Sequence, residues 1–309
     1  MKAVRIHEFG DFDKLRREDL PLPEPGPGEV RIRVMAASVN PVDYKIIHGN
    51  VLPPDALPKT LGGDVAGVVD AVGPGVTEFQ VGAAVYAMLS REHGAFVEFV
   101  PEKAEFCAHK PGRLDFLRAA GVPLAGLTAW QALFDQGQLR PEQRVLIHGA
   151  AGGVGHLAVQ FARARGCGVI ATCSGADFQF VKSLGAHEVI DYRAERFEDR
   201  VKNVDVVLDV VGGDTLDRSW RVLKDGGALV STVEEPDQAK AQAKNARGVV
   251  FMAKPDGRQL AEITQLIDAG AVMPQIARVF PLDEVAEAER ILEREHVRGK
   301  IVLEVTPQV

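Results

Sequence analysis

The chain has 309 residues, of which 36 are Lys or Arg and 43 are Asp or Glu, so its formal net charge is −7. At about 100–200 residues per domain this length predicts two domains, and a content of 46% hydrophobic and 26% charged residues excludes a disordered chain. The net charge is negative and the sequence has no basic stripe, which argues against a nucleic-acid partner. The three cysteines form no CxxC pair, which excludes a disulfide scaffold and a four-cysteine zinc lobe.

The start of the chain and its longest uncharged stretch bear on targeting. Residues 1–8 carry charges where a signal peptide needs an apolar core. Residues 145–162 carry no formal charge, but they contain four glycines and two histidines, which suits a buried strand-turn-helix better than a membrane span. We therefore expect a soluble, cytoplasmic protein with no membrane partner.

The first part of the chain, residues 1–115, is predicted to be rich in β-strands. Residues 29–37 alternate apolar with polar side chains, the period of two that marks a half-buried strand. The four prolines in residues 21–28 predict an extended connector. Residues 65–72 predict a further strand, which Gly73-Pro74-Gly75 ends in a turn. These features are compatible with a small, partly open barrel.

From about residue 115 onward, strands alternate with helices. Predicted strands lie at 145–148, 168–172, 188–190, 204–210, 228–231 and 301–305, and predicted helices at 127–134, 154–162, 178–184, 195–202, 260–267 and 285–292. Strands that alternate with helices of this length imply a parallel, doubly wound sheet. The predicted fold class is therefore α/β.

A glycine-rich turn follows the first of these strands. It contains Ala150-x-Gly152-x-x-Gly155, the dinucleotide fingerprint with alanine at its first position. A side chain at Gly152 would keep the backbone away from a pyrophosphate, and Gly155 allows the helix to pack closely on the strand. The context of strand, turn and amphipathic helix predicts a dinucleotide site; the alternative is a tight turn without a ligand.

The end of the second strand bears on which dinucleotide binds. An NAD site places Asp or Glu on the ribose 2′-hydroxyl about 20 residues after the glycine turn. Here the strand ends without a carboxylate at its tip, and Ser174 could donate to a 2′-phosphate, which favours NADPH over NADH. Asp177 is an unfavourable neighbour for a phosphate. Arg193, beside Tyr192, is the best candidate for a cation, and a solvated surface arginine is the alternative.

Several other catalytic signatures are missing from the sequence. It contains no HExxH, no GxSxG and no GxxxxGK[ST], so zinc-protease, serine-hydrolase and P-loop chemistry have no support. No histidine is spaced from a cysteine or a second histidine as local metal ligands usually are. His148 and His156 flank the glycine turn and are interpreted as packing or surface residues. No metal site is predicted.

Five segments together resemble a known family along nearly the whole chain. They are Ala36–Lys45, Leu61–Gly67, Leu127–Leu133, Gly149–Gly155 with its continuation to Ser183–Ala186, and Gly299–Leu303. The sequence resembles the zinc-independent quinone oxidoreductases of the medium-chain dehydrogenase/reductase superfamily. Zinc-using relatives carry Gly-His-Glu where this chain has Gly62-Gly63-Asp64, and a catalytic cysteine near the position of Asn40, so the resemblance also implies no zinc.

The resemblance implies a fold with one domain inserted in another. Residues 1–115 and 273–309 would form a GroES-like, β-rich substrate domain, and residues 116–272 would form a Rossmann doubly wound parallel sheet inserted in it. Family members are expected to form homodimers through the edge of the Rossmann sheet.

The fingerprint and the resemblance together imply a set of site residues. Asn40 and Tyr44 would lie by the nicotinamide, with Tyr44 as the candidate catalytic proton donor and Asp43 orienting the loop; a positioning or packing role is the alternative for Tyr44. Candidate cofactor contacts are Asn40, Thr128, Ala150, Gly152, Gly153, Val154, Gly155, Ser174, Tyr192, Arg193, Ser231, Thr232, Val233 and Phe251. Relatives often place a lysine within positions 175–178, where this chain has none, so the preference for NADPH over NADH stays open.

These observations lead to one functional hypothesis with two alternatives. Without a metal to polarise a carbonyl, the expected reaction is hydride transfer from NADPH to a quinone or to the β-carbon of an α,β-unsaturated carbonyl, a small-molecule substrate. One alternative is an NADP(H)-binding regulatory or structural protein with little turnover. The other is an enoyl-thioester reductase, which would need a basic mouth for a carrier phosphate; no Lys/Arg cluster stands out.

Overall fold

A computed structural model describes residues 1–307 of the chain. They form two compact units. The first, which we call the β-rich unit, comprises Met1–Leu127, Lys254–Asp268 and the chain from Pro274 onward. The second, which we call the Rossmann unit, comprises Thr128–Ala253 and Ala269–Met273.

The helices and strands follow one another in three stretches of chain. The first stretch contains β1 (Lys2–Ile6), β2 (Arg16–Asp19), β3 (Glu29–Ser38), α1 (Pro41–Ile47), β4 (Lys59–Thr60), β5 (Asp64–Val72), β6 (Ala84–Met88), β7 (Phe99–Lys103), β8 (Cys107–His109), α2 (Phe116–Ala120) and α3 (Pro123–Trp130), which continues into a π-helical turn (Gln131–Gln136). The second contains β9 (Arg144–Ile147), α4 (Gly155–Ala164), β10 (Gly168–Cys173), α5 (Phe178–Ser183), β11 (Glu188–Asp191), α6 (Phe197–Arg200), β12 (Val204–Asp209), α7 (Gly213–Ser219), β13 (Leu223–Ser231), α8 (Gln238–Ala243) and β14 (Arg247–Val250). The third contains α9 (Gly257–Asp268), β15 (Ile276–Pro281), α10 (Val285–Arg294) and β16 (Lys300–Glu304).

Two sheets build the β-rich unit. One has the order β2-β1-β4, and the larger has the order β15-β16-β3-β5-β6-β8, with β7 also paired to β3. The last strand, β16, runs antiparallel to β3, with Val302 opposite Ser38. The C-terminal stretch therefore returns to the sheet of the N-terminal stretch, as the family resemblance implies. The strands predicted at 29–37 and 65–72 are confirmed.

Helix α9 belongs to the β-rich unit, although it lies inside the predicted Rossmann range of 116–272. The buried hydroxyl of Tyr86 on β6 donates to the carbonyl of Leu260, 2.8 Å away, and lies 2.8 Å from the hydroxyl of Thr264. A Cβ at Gly257 would overlap the carbonyl oxygen of Cys107, so the start of α9 passes close to β8. These contacts explain why α9 groups with the β-rich unit. The first boundary also lies later than predicted, at 127/128 instead of 115/116.

The Rossmann unit is a six-stranded parallel sheet with the order β11-β10-β9-β12-β13-β14. In chain order this is the doubly wound arrangement 3-2-1-4-5-6, and it confirms the predicted fold class. Its central strand, β9, is buried from Val145 to Ile147, and it is in contact with α4, on which Leu157 and Phe161 are buried. In such sheets, ligands bind at the carboxyl ends of the strands, where the strand order reverses between β9 and β12.

The helices of residues 1–307 are short. The helix α9 has 12 residues, and within the described part of the chain no helix combines the length and the apolarity needed to cross a bilayer.

Candidate functional site

The glycine-rich turn leaves β9 at the carboxyl end of the sheet. Gly149 adopts a φ of +66°, a left-handed conformation that favours glycine, and its carbonyl accepts a hydrogen bond from the backbone N–H of Gly152 at 3.1 Å. The backbone N–H of Ala150 donates to the carbonyl of Thr172 on β10 at 3.0 Å. The turn is therefore tied both to itself and to the neighbouring strand.

Gly155, the first residue of α4, is a glycine because the chain passes very close to it. A Cβ at this position would overlap the carbonyl oxygen of Gly149 and would lie 2.7 Å from the Cα of Ala150. Any side chain would push α4 away from the turn. This is the close packing of helix on strand that the fingerprint predicts for its last glycine.

The packing of the protein itself, in contrast, does not require a glycine at position 152. Its φ is not in the left-handed region, and a Cβ built on it would meet, among residues 1–307, only the carbonyl oxygen of Gly149 at 3.5 Å, an ordinary contact. The helix behind it, α4, starts after Val154, an apolar residue that cannot cap the first N–H groups. Open space before the positive end of a ten-residue helix fits the pyrophosphate of a dinucleotide.

The end of β10 carries more negative charge than the sequence indicates. The hydroxyl of Ser174 donates to the Asp177 carboxylate at 2.8 Å, and both residues are buried. A Cβ at Gly175 would lie 2.5 Å from Oδ2 of Asp191, the last residue of β11. Sequence reasoning missed Asp191, because adjacent parallel strands bring their ends together only once the strand order is known. Two carboxylates therefore lie near Ser174.

An exposed aromatic residue and a cation follow β11. Tyr192 is 53% exposed, and the guanidinium of Arg193 lies over its ring, 5.6 Å from the centroid. The backbone N–H of Arg193 donates to Oδ1 of Asp191 at 3.0 Å, which holds this corner against the strand end. A flat ring face and a positive charge thus stand at the same edge of the sheet as the glycine turn.

The ends of β12 and β13 form the next part of this edge. Asp209 is buried and accepts the backbone N–H groups of Val211 at 3.2 Å and Gly212 at 2.9 Å, while burial raises its pKa. The hydroxyl of Ser231 donates to Asp209 at 3.4 Å and accepts the backbone N–H of Val233 at 3.1 Å. Val211 and Val233 are exposed and give the edge an apolar surface.

The sheet brings together most of the candidate cofactor residues. Strand ends and the segments that follow them hold Ala150, Gly152, Gly153, Val154, Gly155, Ser174, Tyr192, Arg193, Ser231, Thr232, Val233 and Phe251. Phe251 is linked to this edge by its backbone N–H, which donates to the carbonyl of Ser231 at 3.2 Å. Thr128 is buried on α3, before the strands of the sheet begin.

In the β-rich unit, the three candidate catalytic residues lie at the start of α1. Asn40 caps the helix, and the Asp43 carboxylate accepts the backbone N–H groups of Asn40 at 2.9 Å and Gly62 at 3.1 Å. Asp43 therefore ties the start of α1 to the backbone at Gly62. Burial, partly offset by these two hydrogen bonds, raises the pKa of Asp43 to about 7.

The side-chain amide of Asn40 is held at both ends. Its Nδ2 donates to the Asp64 carboxylate at 2.7 Å, and its Oδ1 accepts a hydrogen bond from the Lys300 ammonium. Asp64 also accepts the hydroxyl of Ser38 at 2.5 Å and the backbone N–H of Leu124 at 2.6 Å. Sequence reasoning missed Lys300 as part of this site.

Tyr44 lies one turn further along α1 and is half-buried against the core of the β-rich unit. Burial, and after it the carboxylates of Glu293 and Glu289, raise the pKa of its hydroxyl, which therefore stays protonated. His48 lies 6.4 Å from its ring, and its two ring nitrogens lie 2.8 Å from the carbonyl of Gly10 and 2.9 Å from the Glu293 carboxylate. Tyr44 thus faces an acidic stretch of α10.

The two histidines that flank the glycine turn are packing residues, as predicted. The imidazole of His148 is buried between the hydroxyls of Thr172 at 2.9 Å and Ser219 at 3.0 Å, and burial lowers its pKa to about 3. His156 is buried and lies 2.9 Å from the carbonyl of Gly152. Within residues 1–307, no three His, Cys, Asp or Glu side chains are grouped so that they could hold a metal ion.

Two family models of dehydrogenase domains match two successive parts of the chain. Residues 26–141 match the model of the alcohol dehydrogenase GroES-like domain, and residues 184–303 match that of the zinc-binding dehydrogenase. The strand order and the glycine turn described above are those of a dinucleotide-binding domain.

Relatives along the whole chain identify the family. The chain is 36% identical to the NADPH-dependent alkenal/one oxidoreductase of Arabidopsis thaliana, a chloroplastic protein, over 99% of this chain and 80% of that protein. It is 33% identical to the quinone oxidoreductase of Rattus norvegicus over 98% of this chain and 97% of that protein. The structure of the quinone oxidoreductase from Coxiella burnetii superimposes with a TM-score of 0.91 at 35% identity and 99% coverage of both chains. The chain therefore belongs to the quinone oxidoreductase family of the medium-chain dehydrogenase/reductase superfamily.

Proposed function

We propose that the protein is an NADPH-dependent oxidoreductase that transfers hydride to a quinone or to the β-carbon of an α,β-unsaturated carbonyl compound, without zinc. The observation that carries the proposal is the match along 98–99% of the chain to relatives named for these two activities. The glycine turn adds a physical argument, because Gly152 is a glycine that the protein's own packing does not require. In this proposal the Rossmann unit holds the dinucleotide and the β-rich unit contributes the residues that contact the substrate.

The bound dinucleotide would supply the hydride from its nicotinamide ring. The backbone of the turn around Gly152 and the start of α4 would hold the pyrophosphate. The exposed ring of Tyr192 would stack on the adenine. Val211 and Val233 would form an apolar surface against the nicotinamide end of the cofactor. Each of these residues lies at the carboxyl end of the same parallel sheet.

Residues of α1 would supply the proton that the substrate takes up after hydride transfer. Hydride addition to a β-carbon leaves negative charge on the substrate oxygen, and a positioned acid lowers the cost of that charge. The Tyr44 hydroxyl is the candidate donor, and it carries its proton at neutral pH, because burial raises its pKa. Asp43 would act indirectly, because it fixes the loop through the backbone N–H groups of Asn40 and Gly62.

The preference for NADPH over NADH is the finer part of the proposal. The Arabidopsis relative is named as NADPH-dependent, and Arg193 provides a cation beside Tyr192 for a 2′-phosphate. Asp177 and Asp191 oppose it by placing negative charge near Ser174. We expect a preference for NADPH that is smaller than it would be if these positions were neutral.

A homodimer and a cytoplasmic location complete the proposal. In the sheet of the Rossmann unit, β14 is an edge strand with Val250 exposed, and such an edge can pair with a second copy. Sedimentation velocity should give a dimer mass that Val250→Pro, at a position whose N–H faces away from β13, reduces to that of the monomer.

The test is a steady-state screen in which oxidation of NADPH is followed with quinones, enones, enoyl thioesters and aldehydes. We expect turnover with quinones or enones and a lower kcat/KM with NADH. Binding of NADPH without turnover on any substrate would replace the proposal by a regulatory role. Turnover confined to enoyl thioesters would instead identify a thioester reductase.

A further inference from the structure

A cluster of four ionisable side chains is buried in the β-rich unit. It consists of Asp43 (2% exposed), Asp64 (0%), Glu289 (0%) and Lys300 (4%). These are three acids and one base, so the cluster would carry two net negative charges if every group were ionised. Because a buried charge without a partner is very costly, at least one of the acids keeps its proton.

The hydrogen bonds show which acid that is. Oxygens of Asp64 accept from Ser38, Asn40 and the backbone of Leu124. Asp43 accepts two backbone N–H groups. Among residues 1–307, neither carboxyl oxygen of Glu289 has a hydrogen-bond partner. An ionised Glu289 would therefore be the least stabilised of the three carboxylates.

Charged groups on α1, β16 and α10 itself act on the pKa of Glu289. Burial raises its pKa well above the ordinary value, and Asp43 on α1 raises it further, whereas Lys300 on β16 opposes both. Glu293, one turn along the same helix and paired with His48, also raises it. Glu289 in turn raises the pKa of the Tyr44 hydroxyl on α1. The neutral acid is the form that these surroundings favour.

Lys300 connects this buried acid to the loop at the start of α1. Its Nζ donates to the carbonyl of Val39 at 3.0 Å and to Oδ1 of Asn40, and it lies 3.6 Å from the Asp64 carboxylate. The ammonium therefore fixes both the backbone before Asn40 and the rotation of the Asn40 amide. An ionised Glu289 would compete with Asn40 and Asp64 for the same ammonium.

We propose that Glu289 is a buried acid that keeps its proton at neutral pH and so leaves Lys300 bound to Asn40, and that both are positioning residues for the α1 loop. The role in catalysis rests on the proposed function, since it assumes that this loop faces the substrate. The protonation of Glu289 does not depend on that assumption.

Infrared spectroscopy tests the protonation without any substrate. At about pH 8 an ordinary glutamate is ionised, so we expect the wild type to show the carbonyl-stretch band of a protonated carboxyl group. Glu289→Gln should remove this band, whereas Glu287→Gln, an exposed position of the same helix, should keep it. A spectrum in which Glu289→Gln removes no protonated-carboxyl band would overturn the proposal.

Urea unfolding across pH gives a second, independent reading. Because the folded pKa of Glu289 is raised, its contribution to stability is complete below its unfolded pKa and is lost as pH rises. The glutamine of Glu289→Gln cannot ionise. The urea midpoint of this variant should therefore rise relative to that of the wild type as pH rises. A constant difference between the two midpoints from acid to alkaline pH would contradict a raised pKa.

The positioning role is measured by kinetics. Lys300→Met should lower kcat for the enone or quinone by about tenfold or more, with a smaller change in the Kd for NADPH, because Asn40 loses a fixed orientation. Glu287→Gln, at an exposed position of α10, should keep kcat within about twofold of the wild type. Equal kcat for Lys300→Met and wild type would refute the positioning role. If the wild type turns over none of these substrates, the proposed function fails, while the infrared result still decides the state of Glu289.

Discussion

Gly152→Ala and Gly155→Ala show which glycine of the turn is needed for cofactor binding and which is needed for the stability of the protein. The methyl group of Gly152→Ala would meet only Gly149, at 3.5 Å, among the described residues 1–307. Stability should therefore be unchanged or rise by about 0.4–1 kcal/mol through the smaller entropy of the unfolded chain. The same methyl enters the space assigned to the pyrophosphate. The Kd for NADPH should rise about tenfold or more, which corresponds to about 1.4 kcal/mol.

Gly155→Ala should behave in the opposite way. Its methyl would overlap the carbonyl oxygen of Gly149 and lie 2.7 Å from the Cα of Ala150, so the helix has to move. Such overpacking costs about 1–3 kcal/mol. We expect a lower urea midpoint for this variant, with weaker NADPH binding as a consequence of the displaced turn.

Urea unfolding and a fluorescence titration with NADPH measure the two effects separately. Gly112→Ala is the matched control, because a Cβ there lies 3.8 Å from the nearest atom, Oδ1 of Asp268, and far along the chain from the turn. It should change neither the Kd for NADPH nor the urea midpoint by much. Wild-type affinity in Gly152→Ala would refute the assignment of the pyrophosphate, and wild-type stability in Gly155→Ala would refute the close packing of α4.

Three further substitutions test other parts of the account. His148 stays neutral in the folded protein down to about pH 3, whereas the unfolded chain takes up its proton below about pH 6.5. Stability should therefore fall as pH drops, by about 2–3 kcal/mol at pH 4.5, and urea unfolding of His148→Asn should show a flatter slope. Asp177→Asn removes a negative charge beside Ser174 and should raise the ratio of NADPH to NADH affinity about fivefold in low-salt titrations. Tyr44→Phe should lower kcat about a hundredfold at unchanged Kd for NADPH, and an unchanged kcat would assign Tyr44 to packing.

The central elements of the fold could be predicted because their patterns are strong. The apolar run before Gly149 and the helical spacing of Leu157 and Phe161 identify β9 and α4. The alternation of residues 29–37 identifies β3. Each of these segments buries a regular set of side chains, and that regularity is visible in the sequence.

The elements that were missed lack such regularity. Residues 234–247 are polar and show no apolar period, yet they contain α8 and lead into β14. The strand β15 is largely exposed and bears an arginine in its centre, so it shows no apolar pattern. The predicted helix at 195–202 is shorter, since α6 covers only Phe197–Arg200.

The buried cluster could not be found from the sequence, for a different reason. Asn40 and Lys300 are 260 positions apart, and only the pairing of β16 with β3 brings them together. Glu289 lies in a helix with several glutamates, and Glu287 and Glu293 look no different from it in sequence. Burial of one glutamate among several is decided by the packing of α10, which the sequence pattern alone does not specify.

The most direct test of the account follows the hydride itself. NADPH carrying deuterium at the transferred position of the nicotinamide is incubated with the protein and an enone, and the product is analysed by mass spectrometry and NMR. We expect one deuterium at the β-carbon of the saturated ketone, with equimolar oxidation of NADPH. A ketone without deuterium at that carbon, or no reduction of any enone or quinone, would contradict it.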